Sequence, residues 1–170
     1  MVQMAETFQF GPVLAVVAEA IGQPGQRRFR INALSPGGES AAIWLEKEQL
    51  AALGDALETV LREEEFEYEP LPLDDVPEAP AFPLNATVDF RAAQLSMGVN
   101  RDTRHIVLVA ADGEDDGLSV AFEFPYRRGF ELRREIAETV AAGRPPCPLC
   151  GAPLDPSGHV CPRSNGHHPQ

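Results

Sequence analysis

The 170-residue chain has little lysine, no cysteine before residue 147 and no long apolar run. Its 14 Lys and Arg residues are outnumbered by 26 Asp and Glu residues, which gives a formal net charge of −12. This balance disfavours nonspecific nucleic-acid binding and docking on anionic membranes, which both need basic surfaces. No run approaches the roughly 18 apolar residues of a spanning helix, and residues 1–10 lack the features of a signal peptide. We therefore expect a soluble, cytoplasmic protein with no membrane partner.

Hydrophobic periodicity predicts strands and then a helix in the first half. Alternation at residues 28–33 and a returning segment at 40–45 predict a hairpin. Residues 13–21 are composed like a helix or a strand, but a Gly-Pro turn follows them, so we predict a strand. Leucines at helical spacing predict a helix over residues 46–61.

The second half shows a similar order of patterns. Strand patterns occupy residues 86–99, 104–111 and 118–125, and a helix pattern occupies 130–142. The tripeptide Glu-Thr-Val at 58–60 recurs at 138–140, an offset of 80 residues. The predicted fold class is therefore α+β: an antiparallel sheet from two strand–strand–helix repeats with both helices on one face, plus a small zinc-ribbon-like element at the C-terminus.

The segment between the halves differs in composition. Residues 63–83 are rich in acidic residues and proline and contain no base, which is typical of an extended linker. The predicted organisation is a scaffold over 1–145, with halves 1–64 and 84–143 joined by the linker 63–83, and a metal-binding tail over 146–170.

The tail contains all three cysteines, Cys147, Cys150 and Cys161. An odd, clustered set favours metal binding over a disulfide framework. Cys147-Pro-Leu-Cys150-Gly is the pattern of a zinc knuckle, because two thiolates at i and i+3 can reach one ion across a tight turn. A second arm follows about ten residues later, as in a zinc ribbon.

The fourth ligand has two candidates. Ser164 stands where a second arm of the usual kind carries its second cysteine. His159 lies two residues before Cys161 and faces the same side if the chain is extended, whereas His167 lies six residues after it. Three thiolates and one imidazole complete a closed tetrahedral Zn2+ site, which is structural because catalytic zinc keeps an open position.

A possible anion site lies in the Gly-rich turn over residues 22–30. Arg27, Arg28 and Arg30 follow the turn, and backbone N–H groups with guanidinium groups favour phosphate. The turn has no P-loop lysine and does not begin a helix, so a polar hairpin turn is the simpler interpretation.

Three segments resemble an uncharacterised bacterial family. They are the turn at 22–27, the helix start at 45–49 and the tail CPLCGxPLDPxGHVCPRxNG. The family is catalogued as domain of unknown function 3090 and found mainly in Actinobacteria, and the resemblance covers nearly the whole chain. The family tail keeps GHxCP and often lacks a histidine after NG, which implies His159 as the fourth ligand. The resemblance implies no activity.

These patterns favour a zinc-binding, noncatalytic module that interacts with or scaffolds protein. The sequence has no GxSxG or HExxH pattern, so enzyme activity is less favoured. The alternatives are an enzyme or small-anion binder that uses the turn at 22–30, and a binder of single-stranded nucleic acid, for which this acidic chain has few aromatic residues. The oligomeric state is left open.

We expect one Zn2+ per chain. Cys150→Ser and His159→Ala should each lower the bound zinc, whereas His167→Ala should not, because only the first two remove a predicted ligand. Elemental analysis of the purified protein measures this. A wild-type value far below one equivalent would contradict the site.

Overall fold

The computed structural model describes residues 6–23, 25–76, 78–114, 117–142, 148–150 and 161. Within them, eight strands and two helices follow one another along the chain, with a short 3-10 turn at Leu73–Asp75. The elements are β1 (Glu6–Pro12), β2 (Ala15–Ile21), β3 (Arg28–Leu34), β4 (Ser40–Leu45), α1 (Lys47–Glu63), β5 (Val88–Arg91), β6 (Gln94–Asn100), β7 (His105–Ala111), β8 (Leu118–Pro125) and α2 (Tyr126–Ala141).

The strands form two four-stranded sheets, so the α+β class is confirmed but the prediction of one antiparallel sheet is wrong. Sheet A has the order β1-β8-β7-β6 and sheet B the order β2-β3-β4-β5. Each sheet contains two antiparallel pairs and one parallel pair at an edge, β1 with β8 and β4 with β5.

The parallel pairs arise because the two halves exchange their first strands. β1 belongs to the first half but pairs with β8 of the second, and β5 begins the second half but pairs with β4 of the first. A two-residue connector makes each crossing. Val13 N–H donates to Glu123 of sheet A and Leu14 N–H to Leu34 of sheet B, at 3.0 and 2.8 Å.

The second connector repeats this arrangement. Ala92 N–H donates to Trp44 of sheet B at 3.0 Å and Ala93 N–H to Ala111 of sheet A at 2.9 Å. The donors lie 79 residues after those of the first connector. The acceptors pair at offsets of 79 and 77 residues, one less than the offsets of 80 and 78 that residue identities in these strands indicate. The two halves therefore share one plan down to individual backbone hydrogen bonds.

One hydrophobic core includes residues of both sheets and both helices. Alternate strand residues enter it, for example Ile31 on β3 and Leu108 on β7, both at most 1% exposed. The helices contact each other, and Gly54 allows this because a Cβ there would lie 3.0 Å from Ile136. At roughly 25 cal/mol per Å² of apolar surface, this shared burial dominates the stability.

Helix α2 begins at Tyr126, four residues before its predicted start. The apolar pattern does not indicate this first turn, because it contains Arg127, Arg128 and Gly129. A side chain at Gly129 would place its Cβ 2.5 Å from Ile106, so the helix approaches sheet A closely there. No helix among the described residues is long and apolar enough to span a membrane.

The shared core predicts that damage to one half is sensed in the other. Ile136→Ala, in the second half, should lower the free energy of unfolding by about 2–4 kcal/mol. Trp44 fluorescence, which reports on the first half, should shift its urea midpoint together with far-UV circular dichroism. Ala137→Ser, exposed on the same helix, is the control and should change stability by less than about 0.5 kcal/mol. Separate transitions for the two signals would contradict a single core.

Candidate functional site

The predicted zinc ligands fall mostly outside the described residues. Cys150 and Cys161 are described, whereas Cys147, His159 and the alternative His167 lie outside the described ranges. Among the residues that are described, no three His, Cys, Asp or Glu side chains form a metal-binding group. The zinc site stays a prediction from spacing.

Arg27, in the predicted anion turn, contacts the end of α2. Its guanidinium donates to the carbonyl oxygen of Thr139 at 2.9 Å and to that of Ala142. Carbonyl groups at a helix C-terminus lack partners within the helix and favour a cation. Gly22 shapes the turn, with a φ of +111° and a Cβ position 2.9 Å from the Gln26 oxygen. Arg27 thus caps a helix from the opposite half.

Arg28 and Arg30 lie over the indole ring of Trp44, with guanidinium carbons 4.0 and 5.2 Å from the ring centroid. Arg30 also pairs with Glu19 on the neighbouring strand. The three arginines therefore do not share one partner: Arg27 serves α2, and the other two serve an aromatic contact on sheet B.

Described residues from three parts of the chain enclose a cavity of about 740 Å³. We call it the β2–α2 groove. One wall is residues 13–17 at the start of β2, the second is one stripe of α2, and the third lies within residues 68–80. The stripe consists of Arg127, Arg128, Glu131, Arg134, Glu135 and Glu138. The volume is within the range of small-ligand and peptide sites.

Arg128 joins two walls of the groove. Its Nε donates to the Val16 carbonyl oxygen of β2 at 3.0 Å, and its terminal nitrogens contact Glu131 and Glu135 at 3.2 and 2.7 Å. The side chain is about three-quarters buried, so these charge-assisted bonds are only partly screened by water. The other carboxylate oxygen of Glu135, Oε2, is buried without a hydrogen-bond partner among the described atoms.

Aromatic contacts fix the third wall to α2. Helix α1 ends with Glu65 at a φ of +52°, and Phe66 N–H donates back to the Leu61 carbonyl at 2.9 Å, as in a Schellman motif. This reversal directs Phe66 to the ring of Tyr126 at 6.1 Å. Tyr68 then stacks on Phe130, with centroids 4.3 Å apart. The start of the predicted linker is thereby held on the helix.

Three exposed apolar side chains line the groove. Leu14, Leu71 and Val76 are 60%, 39% and 56% exposed, although each is large enough to favour burial. Single exposed apolar residues are ordinary, but a group around one cavity marks a binding surface.

A second polar cluster is structural. Arg101, in the β6–β7 turn, forms a forked ion pair with Glu64 at the end of α1, with bonds of 3.1 and 3.2 Å. The Tyr126 hydroxyl lies 3.5 Å from the same carboxylate. Burial and then Glu64 raise the pKa of Tyr126, and Glu64 raises the pKa of Arg101. The turn of one half again anchors a helix end of the other half.

A family model described as protein of unknown function (DUF3090) matches residues 8–161. The chain belongs to this family. No curated protein matches the chain. The DUF3090 match includes Cys147, Cys150, His159 and Cys161 and ends before His167.

Sequence reasoning did not find the groove in this DUF3090 protein. Its three walls lie far apart in the chain, and one of them falls in the predicted linker. The available signal was composition: Phe66, Tyr68 and Leu71 are apolar residues within an acidic, proline-rich segment that needs none if it is only a spacer.

Arg128 should stabilise the groove walls. Arg128→Met removes bonds to Val16, Glu131 and Glu135 while keeping most of the packing, and should lower the free energy of unfolding by about 1–3 kcal/mol. Arg134→Met is the matched control, because Arg134 lies on the same stripe but is exposed and has no ion pair among the described residues. Urea unfolding compares the two variants. Equal effects would show that Arg128 does not join the walls.

Proposed function

We propose that the protein is a noncatalytic interaction module that binds a short extended peptide segment of a partner protein in the β2–α2 groove. The observation that carries the proposal is the grouping of Leu14, Leu71 and Val76 around one cavity between a strand and a helix. Apolar side chains of a peptide would bury these residues and gain about 25 cal/mol per Å² of apolar surface removed from water.

The polar side of the groove suits a peptide backbone. Arg134 and Glu138 are exposed on the α2 stripe and offer a donor group and acceptor oxygens. Few polar groups beside a mainly apolar lining are typical of sites that orient a ligand while burial supplies affinity.

The proposal includes the tail. We propose that Cys147, Cys150, Cys161 and His159 bind one structural Zn2+ in the cytoplasm. The support is the spacing of these residues and the reach of the family match over all four. A closed site of this kind would order the tail without chemistry at the metal.

A random-sequence peptide library displayed on phage tests the groove. We expect peptides enriched on the wild-type protein to bind Leu14→Asp at least about tenfold more weakly, a loss of about 1.4 kcal/mol, because the substitution places a charge on an apolar wall. Affinities of synthetic peptides measured by calorimetry give the ratio.

Leu84→Asp is the matched control. Leu84 is fully exposed and is not a lining residue of the groove, so its substitution should leave peptide affinity unchanged. Thermal unfolding of both variants shows whether the fold is retained. The proposal is overturned if no peptide is enriched, or if enriched peptides bind Leu14→Asp as tightly as wild type.

A further inference from the structure

The four edge strands differ in how they are protected against pairing with another chain. In β1 the register shifts at Gly11, and the strand ends at Pro12. Strand β2 has its Val16 carbonyl bound by Arg128. Strand β5 has only four residues, of which Asp89 and Arg91 are charged and exposed. Short length, charge, proline and bulges are the usual devices that protect an edge.

Strand β6 has none of these devices. It runs for seven residues in unbroken antiparallel register with β7, and its sequence QLSMGVN has no charge and no proline. The position on α1 that corresponds to Arg128 is Gln49. Its amide nitrogen donates to the Ala92 carbonyl, and its oxygen accepts from Glu46. Among the described residues, no side chain donates to the backbone of residues 94–99.

Gly98 lies near the middle of this edge without a reason inside the chain. Its φ is outside the left-handed region, its register with Val107 is regular, and a Cβ added to it would meet nothing within 4 Å. Glycine within a strand costs roughly 0.5–1 kcal/mol relative to alanine and often marks a place where another backbone approaches.

We infer that β6 is the surface on which a second copy of the chain pairs, antiparallel and around a two-fold axis at Met97. The two copies of sheet A then form one continuous eight-stranded sheet. A two-fold interface brings identical surfaces together. In a chain of net charge −12, an uncharged strand can meet its own copy without repulsion between like charges in the strand.

Apolar surface supports the same partner. Leu95, Met97 and Val99 face the core but remain half-exposed at the edge. A paired strand would cover them and would satisfy the outward N–H and C=O groups of β6. The axis at Met97 places Ser96 opposite Gly98 of the second copy, which are the exposed positions to change.

Sedimentation equilibrium of the full chain tests the inference. We expect the wild-type mass to approach twice the chain mass of 18.5 kDa. The double variant Ser96→Lys/Gly98→Lys should raise the dimer Kd more than about tenfold, because lysines then lie directly opposite lysines. The double variant Ser96→Glu/Gly98→Glu should be equally weakened. Mixing the two double variants should restore the dimer, which a fold defect could not do.

The control changes the other edge of sheet A. Thr7→Lys/Gln9→Lys adds the same charges to exposed positions of β1 and should leave the dimer intact. The inference is overturned if the wild type keeps its monomer mass up to about 200 µM, if the lysine variant at β6 stays dimeric, or if only the β1 variant dissociates. A monomer whose β6 amides exchange slowly would show that another segment of the chain covers the edge, and would equally overturn it.

Discussion

Exchange of the first strands is the constraint on which the rest of the structure depends. Each half can complete its four-stranded sheet only by receiving β1 or β5 from the other half. The connectors at 13–14 and 92–93 enforce this, because each donates one backbone hydrogen bond to each sheet. Turn residues Arg27 and Arg101 then tie each hairpin to the end of the other half's helix. Neither half has a separate core.

The shared plan makes the differences between the halves informative. Arg128 on α2 reaches across to β2, whereas Gln49 at the corresponding position on α1 is used to start its own helix. One strand–helix junction therefore holds a groove, and the other leaves an edge strand uncovered. The third wall of the groove has no counterpart, since only the segment after α1 can fold back onto α2. Duplicated backbones have acquired two different surfaces through a few side chains.

The elements could be predicted because their signals are local. Strand β4 was predicted with its observed bounds, and α1 within two residues, since side-chain alternation and leucine spacing suffice. The sheet topology could not be, because the partner of Glu6 is Leu118, far along the chain, and a parallel pair leaves no hairpin signal. The groove was missed for the same reason. The tail was accessible from spacing alone, because metal ligands are named by residue type, and it stays a prediction.

The strand exchange also has a consequence for how the chain is made. When the ribosome has released the first half, β4 still lacks β5, and β1 has no partner until residue 118 appears. The earliest strand to emerge is thus among the last to be secured. Pairings this distant along the chain raise the relative contact order, which slows folding. Nascent chains will therefore present an unpaired β4 edge while the acidic segment is synthesised, and the charge of that segment opposes association between them.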